Sequence, residues 1–287
     1  MLNRQKVLLE ILRIAGRPVS KIEMMKWCFL LRMEMPSAGG SAFYEFLPYH
    51  YGPYSFALHR DLAELSATGF VKELADTWES SALSAEGGAT AGAVVSDALR
   101  VVDRYRSTSE WDLTDEVYAR HPYFTVNSRR RQLMARPMAD IRVYTVGYEG
   151  RQIDGLLNLL VSEGIRRLID VRSNPVARRF GFHKSTLNRL CGHLQLEYVH
   201  VPQLGIPSSE RRVERSREDL FAEYVAGIVP SHPEAVQQVA GWMSERPSAL
   251  MCMEALPCDC HRSRLATVIA QRTGLVIRHL GVRDGDN

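Results

Sequence analysis

Apolar side chains recur every three or four residues along the first third of the chain, and that interval changes in the second half. LNRQKVLLEILRIAG places its apolar residues at helical spacing, and Gly16 stops the pattern. Pro18 and Ser20 open a second helix, SKIEMMKWCFLLRME, which is followed by the turn-rich PSAGGS and then FYEFLPYHYGPYS. Ser55 is placed to cap a third helix, FALHRDLAELSATG, which Gly69 ends, and FVKEL reads as a short strand. Three helices followed by a strand is the order of a winged helix, whose third helix would read DNA. Ser55, His59 and Arg60 are the candidate nucleic-acid contacts there.

SSALSAEGGATAGA is a run of small residues expected to form a loop or linker. VVSDALRVVDRYRS and SEWDLTDEVYARH are helical in pattern, and HPYFTVNSRRRQLMARP has no period. From residue 141 strand-like and helical runs alternate: IRVYTVGY, QIDGLLNLLVSEG, IRRLIDVRS, KSTLNRLCGHL and LEYVHVP. Helices around 217–228 and 232–245, SALMCME, HRSRLATVIAQRTG and LVIRHL complete the series. Apolar strands separated by helices of this length indicate βαβ units. The expected fold is α/β, a mostly parallel sheet with flanking helices, behind an N-terminal helical, winged-helix-like domain. The boundaries read 1–78 for that domain, 79–140 for a linker with bridging helices, and 141–287 for the α/β domain.

Composition narrows the class. The 287 residues are 45% hydrophobic and 24% charged, an ordinary globular balance with room for two cores. There is no apolar run of membrane-spanning length, so no membrane association is expected, and the charged N-terminus reads as a helix rather than a signal peptide. An odd set of cysteines (Cys28, Cys191, Cys252, Cys258 and Cys260) without a secretion signal points to the reducing cytoplasm. The net charge of +3 says little by itself. Its clustering says more: Arg129, Arg130, Arg131 and Arg136; then Arg166, Arg167, Arg172, Arg178, Arg179 and Lys184; then Arg211, Arg212, Arg215 and Arg217. Guanidinium forks suit phosphate, which makes DNA the expected partner and Arg129, Arg130 and Arg131 candidate backbone contacts. Oligomeric state is not legible.

In a parallel sheet, ligands gather at the carboxyl ends of the strands. Those ends carry Thr145-Val146-Gly147-Tyr148-Glu149, Asp170-Val171-Arg172-Ser173-Asn174-Pro175, Tyr198 and His200, and Cys252-Met253-Glu254 followed by Cys258-Asp259-Cys260-His261-Arg262. Four of these pieces in order, TVGYEG, IDVRSNPVARRFGF, LEYVHVPQLG and LMCMEALPCDCHRSRLA, resemble domain-of-unknown-function family 488 over roughly Val143 to Leu280. That resemblance implies the α/β fold and a pocket at the strand ends, and it leaves the reaction open. Tyr148 departs from it, standing where the family commonly has histidine. PYHYGPYSFALHRDLAELSATGFV separately resembles the Tyr-Gly-Pro segment of Panacea-type antitoxin domains and related winged-helix modules.

Two carboxylates are the catalytic candidates. Asp170 and Glu254 each end an apolar strand, where a partly buried acid near arginine can activate water or stabilise a cation. For Asp170 the competing reading is a structural ion pair with Arg172 or Arg262. Arg172, Arg178, His261 and Arg262 are candidate anion ligands, with His261 and Arg262 opening a helix. Tyr148, Tyr198 and His200 complete the substrate-binding set. Cys252, Cys258, Cys260 and His261 lack paired Cys-x-x-Cys knuckles, so no metal is expected, and no other cofactor either. Cys260 near a helix start could instead be a low-pKa nucleophile. LIDVRS resembles the aspartate-arginine strand of rhodanese-like domains, but no Cys-x-x-Gly-x-Arg loop accompanies it.

There is no GxxxxGKS loop for nucleoside triphosphates and no carboxylate-rich metal cluster. An N-glycosidic bond can be hydrolysed with one carboxylate and no metal, and an acid, arginine and aromatic pocket suits a flipped nucleotide. The expectation is a DNA glycosylase. The alternatives are a DNA-binding regulator that senses a nucleotide or other anion, and a metal-dependent nuclease.

Overall fold

The first apolar stripe becomes helix α1 (Asn3–Ala15), with Val7, Leu8, Ile11, Leu12 and Ala15 buried. Gly16 closes it in the left-handed conformation at φ +62°, where glycine has no Cβ to clash. β1 (Val19–Ser20) leads into α2 (Lys21–Glu34), which starts from a capping box. The Ser20 hydroxyl accepts from Glu23 N at 3.1 Å, and the Glu23 carboxylate accepts from Ser20 N at 3.0 Å. The Tyr-Gly-Pro segment forms a hairpin of β2 (Leu47–Tyr49) and β3 (Gly52–Tyr54). α3 (Phe56–Ala67), β4 (Val71–Glu73) and β5 (Thr77–Ser80) follow, and an antiparallel sheet forms in the order β1-β5-β4.

The computed structural model describes residues 1–207, 209–210 and 216–282, so Arg211, Arg212 and Arg215 of the third arginine cluster lie outside the described residues. Contacts divide the chain into two units, Met1–Ala135 and Arg136–Asn287. The segment 79–140, read from sequence as linker and bridging helices, contributes α4 (Gly92–Tyr105) and α5 (Glu110–Arg120) to the first unit. α4 packs on α1 and α2 through Val94, Ala98, Val101 and Val102, and α5 packs on α2 through Leu113 and Val117.

The second unit is α/β. Its elements run β6 (Val143–Gly147), α6 (Ile153–Ser162), β7 (Arg167–Asp170), α7 (Lys184–His193) and β8 (Glu197–His200). Then come α8 (Arg217–Glu223), α9 (Val229–Ser231), α10 (Pro233–Glu245), β9 (Ser248–Cys252), α11 (His261–Thr273) and β10 (Ile277–Leu280). The five strands are all parallel, in the order β10-β6-β9-β7-β8. Helical crossovers cover such a sheet and shield its central strands from water; every residue of β6, β7 and β9 is buried, the charged Arg167 and Asp170 included. On one face Val143, Ile169, Leu250 and Cys252 pack with Val236, Val239 and Met243 of α10 and Leu265 and Ile269 of α11. Strand alternation sends Val146, Leu168, Asp170 and Met251 to the opposite face. Among the described residues, no helix is long and apolar enough to cross a membrane.

Candidate functional site

Because the strands are parallel, their carboxyl ends share one edge, and the order reverses around β9. Two glycines let the chain crowd there. A Cβ on Gly147 would lie 1.9 Å from the Glu254 carbonyl oxygen, and one on Gly205 would lie 2.2 Å from Ser173 N. The side chains at this edge fall into two clusters.

The first surrounds Asp170, which is fully buried. Its Oδ1 accepts from Arg172 Nε at 2.8 Å and from Arg172 N at 3.1 Å. Its Oδ2 accepts from Arg172 Nη2 and from the Tyr198 hydroxyl, each at 2.6 Å. Arg172 spends its remaining amino group on the Phe182 carbonyl (3.0 Å) and the Tyr148 hydroxyl (3.3 Å). The Tyr148 ring stacks on Phe182 with centroids 4.4 Å apart, and His200 Nε2 lies 2.9 Å from the Arg172 carbonyl. Burial works against the charge of Arg172, but hydrogen bonds and Coulomb attraction from Asp170 overcome it and hold the guanidinium pKa above its ordinary value. Burial, and then Asp170, push the Tyr198 hydroxyl up.

This network corrects the role expected for Asp170. Both of its oxygens are engaged by Arg172 and Tyr198, so it is the counter-charge of a buried guanidinium rather than an acid facing substrate. Tyr148, Arg172, Tyr198 and His200 stand together around Asp170 as a mutually hydrogen-bonded set. Arg178 is exposed.

The second cluster lies where β9 runs out and α11 begins. Cys252, Cys260 and His261 are buried, and their ligand atoms lie within 4.8 Å of one another. The Cys252 thiol reaches Glu254 Oε2 at 3.4 Å and His261 Nδ1 at 3.8 Å. Hydrogen bonding with Cys260, and burial, push the Cys252 thiol well above its ordinary range. Cys260 is also penalised by burial, yet Cys252, His261 and Arg262 together hold it well below. Glu254 is half-buried; burial and the neighbouring Cys260 raise its carboxyl above the usual range. Arg262 is fully buried and holds the loop by donating to the backbone carbonyls of Glu254 and Ala255, the latter at 2.9 Å. Cys258 is exposed and faces Asp259, outside this group. Asp170 and Glu254, expected to face one pocket, belong to different clusters.

A cleft of about 750 Å³ opens beyond β8, lined among others by Gln203, Glu210, Glu223 and His232. None of the expected site residues lines it.

In the first unit, Ser55 is buried and its hydroxyl accepts from Leu58 N at 3.2 Å, so it caps α3 and does not face solvent. His59 lies edge-on to Trp78, 5.8 Å between ring centroids, and burial lowers its pKa. Arg60 pairs with Asp61 at 2.9 Å and Glu64 at 3.6 Å, which leaves α3 without a strongly basic face. Arg130 forms two hydrogen bonds with Asp115 (3.2 and 2.7 Å) and lies 4.9 Å over the Trp111 ring. Arg129 and Arg131 are exposed.

One group was missed entirely. Lys26 on α2 is buried, its ammonium donates to the Tyr51 carbonyl, and it lines a recess of about 310 Å³ with Tyr49, His50, Tyr51 and Tyr54. Burial lowers its pKa to about 7. Its helical spacing made it look like an ordinary polar position; only the hairpin folding over it shows the burial.

A parallel five-stranded α/β domain with its polar residues gathered at the carboxyl edge defines the class of the second unit. Residues 152–269, within the C-terminal unit, match the family described as Domain of unknown function DUF488. No curated protein and no solved structure matches the chain.

Proposed function

We propose that the protein is a DNA-directed hydrolase in which the first unit acts as a winged-helix DNA-binding module and the DUF488 domain cleaves the N-glycosidic bond of an ordinary or modified base. The observation that carries the reading is Glu254. It is a half-buried carboxylate with a raised pKa, fixed at the carboxyl edge where the strand order reverses. In this reading Glu254 positions a water and takes its proton as the water oxygen bonds to C1′ of the sugar. The C1′–N bond breaks, and its electron pair leaves with the base, which is then protonated from solvent. Asp170 does not take part; it keeps Arg172 charged and in place. The element order of the first unit, with its β1-β5-β4 sheet, supports the DNA-binding half of the proposal.

A second reading has its own observation. The Arg262 guanidinium is buried, its Nε has no hydrogen-bond partner among the described residues, and its described partners are backbone carbonyls. An anion-sensing regulator would use such a group. Mass spectrometry of bases released in single-turnover incubations with unmodified and modified duplexes separates the readings. Base release by the wild type that falls by on the order of a hundredfold in Glu254→Gln, with DNA affinity and melting retained, is the expected result. Unchanged DNA with ligand-dependent binding would favour the regulator. Full activity in Glu254→Gln would remove Glu254 from the mechanism.

A further inference from the structure

We infer that Cys252, Cys260 and His261 form a binding site for one tetrahedral divalent metal ion of the zinc type, with the fourth coordination position open beside Glu254. The inference stands independently of the glycosidic reading.

The geometry comes first. Zinc bonds of about 2.3 Å to sulfur and 2.0–2.1 Å to nitrogen, held at tetrahedral angles, put neighbouring donor atoms roughly 3.6–3.8 Å apart. Cys252 Sγ and His261 Nδ1 are 3.8 Å apart, and all three donor atoms fall within 4.8 Å of one another. One ion can therefore touch all three after shifts of a few tenths of an ångström to about one ångström.

The histidine tautomer is the second argument. His261 Nε2 lies 3.3 Å from the Val171 carbonyl oxygen. A carbonyl only accepts, so Nε2 carries the proton and Nδ1 presents a bare lone pair toward Cys252. A ligating imidazole that donates its other N–H to a backbone carbonyl is the usual outer support of a metal-bound histidine.

Rigidity and charge agree. Cys252 ends β9, and Cys260 and His261 stand at the first turn of α11. Arg262, one residue on, ties the intervening loop to the helix through the Glu254 and Ala255 carbonyls. The donors are thus held by strand, helix and clamp before any ion arrives. Two thiolates cancel the charge of a divalent ion. Soft thiolate donors favour zinc over magnesium or calcium.

The test uses the full chain, purified with reductant and without chelator. Elemental analysis should find about one zinc per chain. Cobalt(II) added after zinc removal should give a thiolate-to-metal charge-transfer band and the visible bands of a tetrahedral site. Cys252→Ser, Cys260→Ser and His261→Gln should each weaken metal affinity by more than the 10–100-fold typical of losing an outer-shell partner. Cys258→Ser, outside the cluster, should bind as the wild type does. If the cysteine variants fail to fold, the cobalt spectrum of the wild type still decides. Absence of a thiolate band, or substoichiometric zinc together with a Cys252–Cys260 disulfide that forms and reduces reversibly, would overturn the metal site in favour of a redox pair. Equal affinity in Cys258→Ser and Cys260→Ser would also overturn it.

Discussion

Replacing Asp170 by asparagine removes a charge and almost no volume, so it isolates what the carboxylate does for its neighbours. In the folded domain Arg172 is buried against Asp170, with two side-chain contacts of 2.8 and 2.6 Å, and its other partners are a carbonyl and a phenol. The asparagine amide can accept one of those hydrogen bonds but supplies no counter-charge. Breaking a buried ion pair by removing one partner costs about 3–5 kcal/mol, because the surviving charge is stranded. Whole domains are stable by only about 5–15 kcal/mol, so this is a large fraction. For a domain of roughly 150 residues each kcal/mol moves the melting point by about 2–4 °C, which puts the expected fall at roughly 6–20 °C. Tyr198→Phe removes one hydrogen bond to a charged acceptor, worth about 1.5–3 kcal/mol, and should fall about half as far. The double variant Asp170→Asn/Arg172→Met buries no charge and should recover part of the loss. Calorimetry or denaturant titration of the three variants supplies the comparison. If Asp170→Asn melts within about 2 °C of the wild type, Asp170 is not holding a buried charge, and it returns as a catalytic candidate.

Other expectations follow from single observations. Lys26 is held at a pKa of about 7 by burial, below its unfolded value, so between about pH 7 and 10 the unfolded chain binds the extra proton and stability rises with pH. Below that window the cost of burying Lys26 is fully present; Lys26→Met should therefore gain stability over the wild type at pH 7 and lose roughly 2–3 kcal/mol of that advantage by pH 9, whereas parallel stability curves would show that Lys26 is not buried as a neutral amine. Alanine at Arg129 and Arg131 should flatten the logarithmic salt dependence of DNA binding by roughly 2 if both touch phosphates, and alanine at Arg130, engaged with Asp115, should change it less; equal slopes in all variants place this segment away from DNA. Gly147→Ala would drive a methyl into the Glu254 carbonyl, so it should cost about 1–3 kcal/mol and reduce any activity that depends on Glu254; a wild-type melting point would mean that the loop yields freely.

The alternation of strand and helix after residue 141 was legible because period and length both change there; IRVYTVGY, IRRLIDVRS, LEYVHVP and SALMCME all contain observed strands. Ser55 and Gly16 likewise announced their caps. The strand order was not legible, since neighbours in this sheet are set by crossover packing and β9 inserts between β6 and β7 from far along the chain. Without that order, Asp170 and Glu254 looked alike as acids after apolar runs. Strand alternation separates them, turning Asp170 toward Arg172 and Tyr198 while Glu254 joins Cys252. The grouping of Cys252, Cys260 and His261 was visible in the sequence but discounted, because Cys252 lies eight positions before Cys260, a spacing outside the familiar knuckles, and only the return of the 253–259 loop to the start of α11 closes the gap.

The position of β9 also bears on how the chain is made. Translation delivers β6, β7 and β8 first, and β7 can pair with β8 at once, but β6 meets β7 only through β9 and meets β10 later still. Until Cys252 has emerged, the facing edges of β6 and β7 offer unpaired N–H and C=O groups along apolar strands, which is the feature that recruits foreign chains. Nascent chains stalled before Ser248 should therefore depend on chaperones more than chains stalled after Leu280, and C-terminal truncations that spare every residue of the first cluster should still aggregate when β9 is lost.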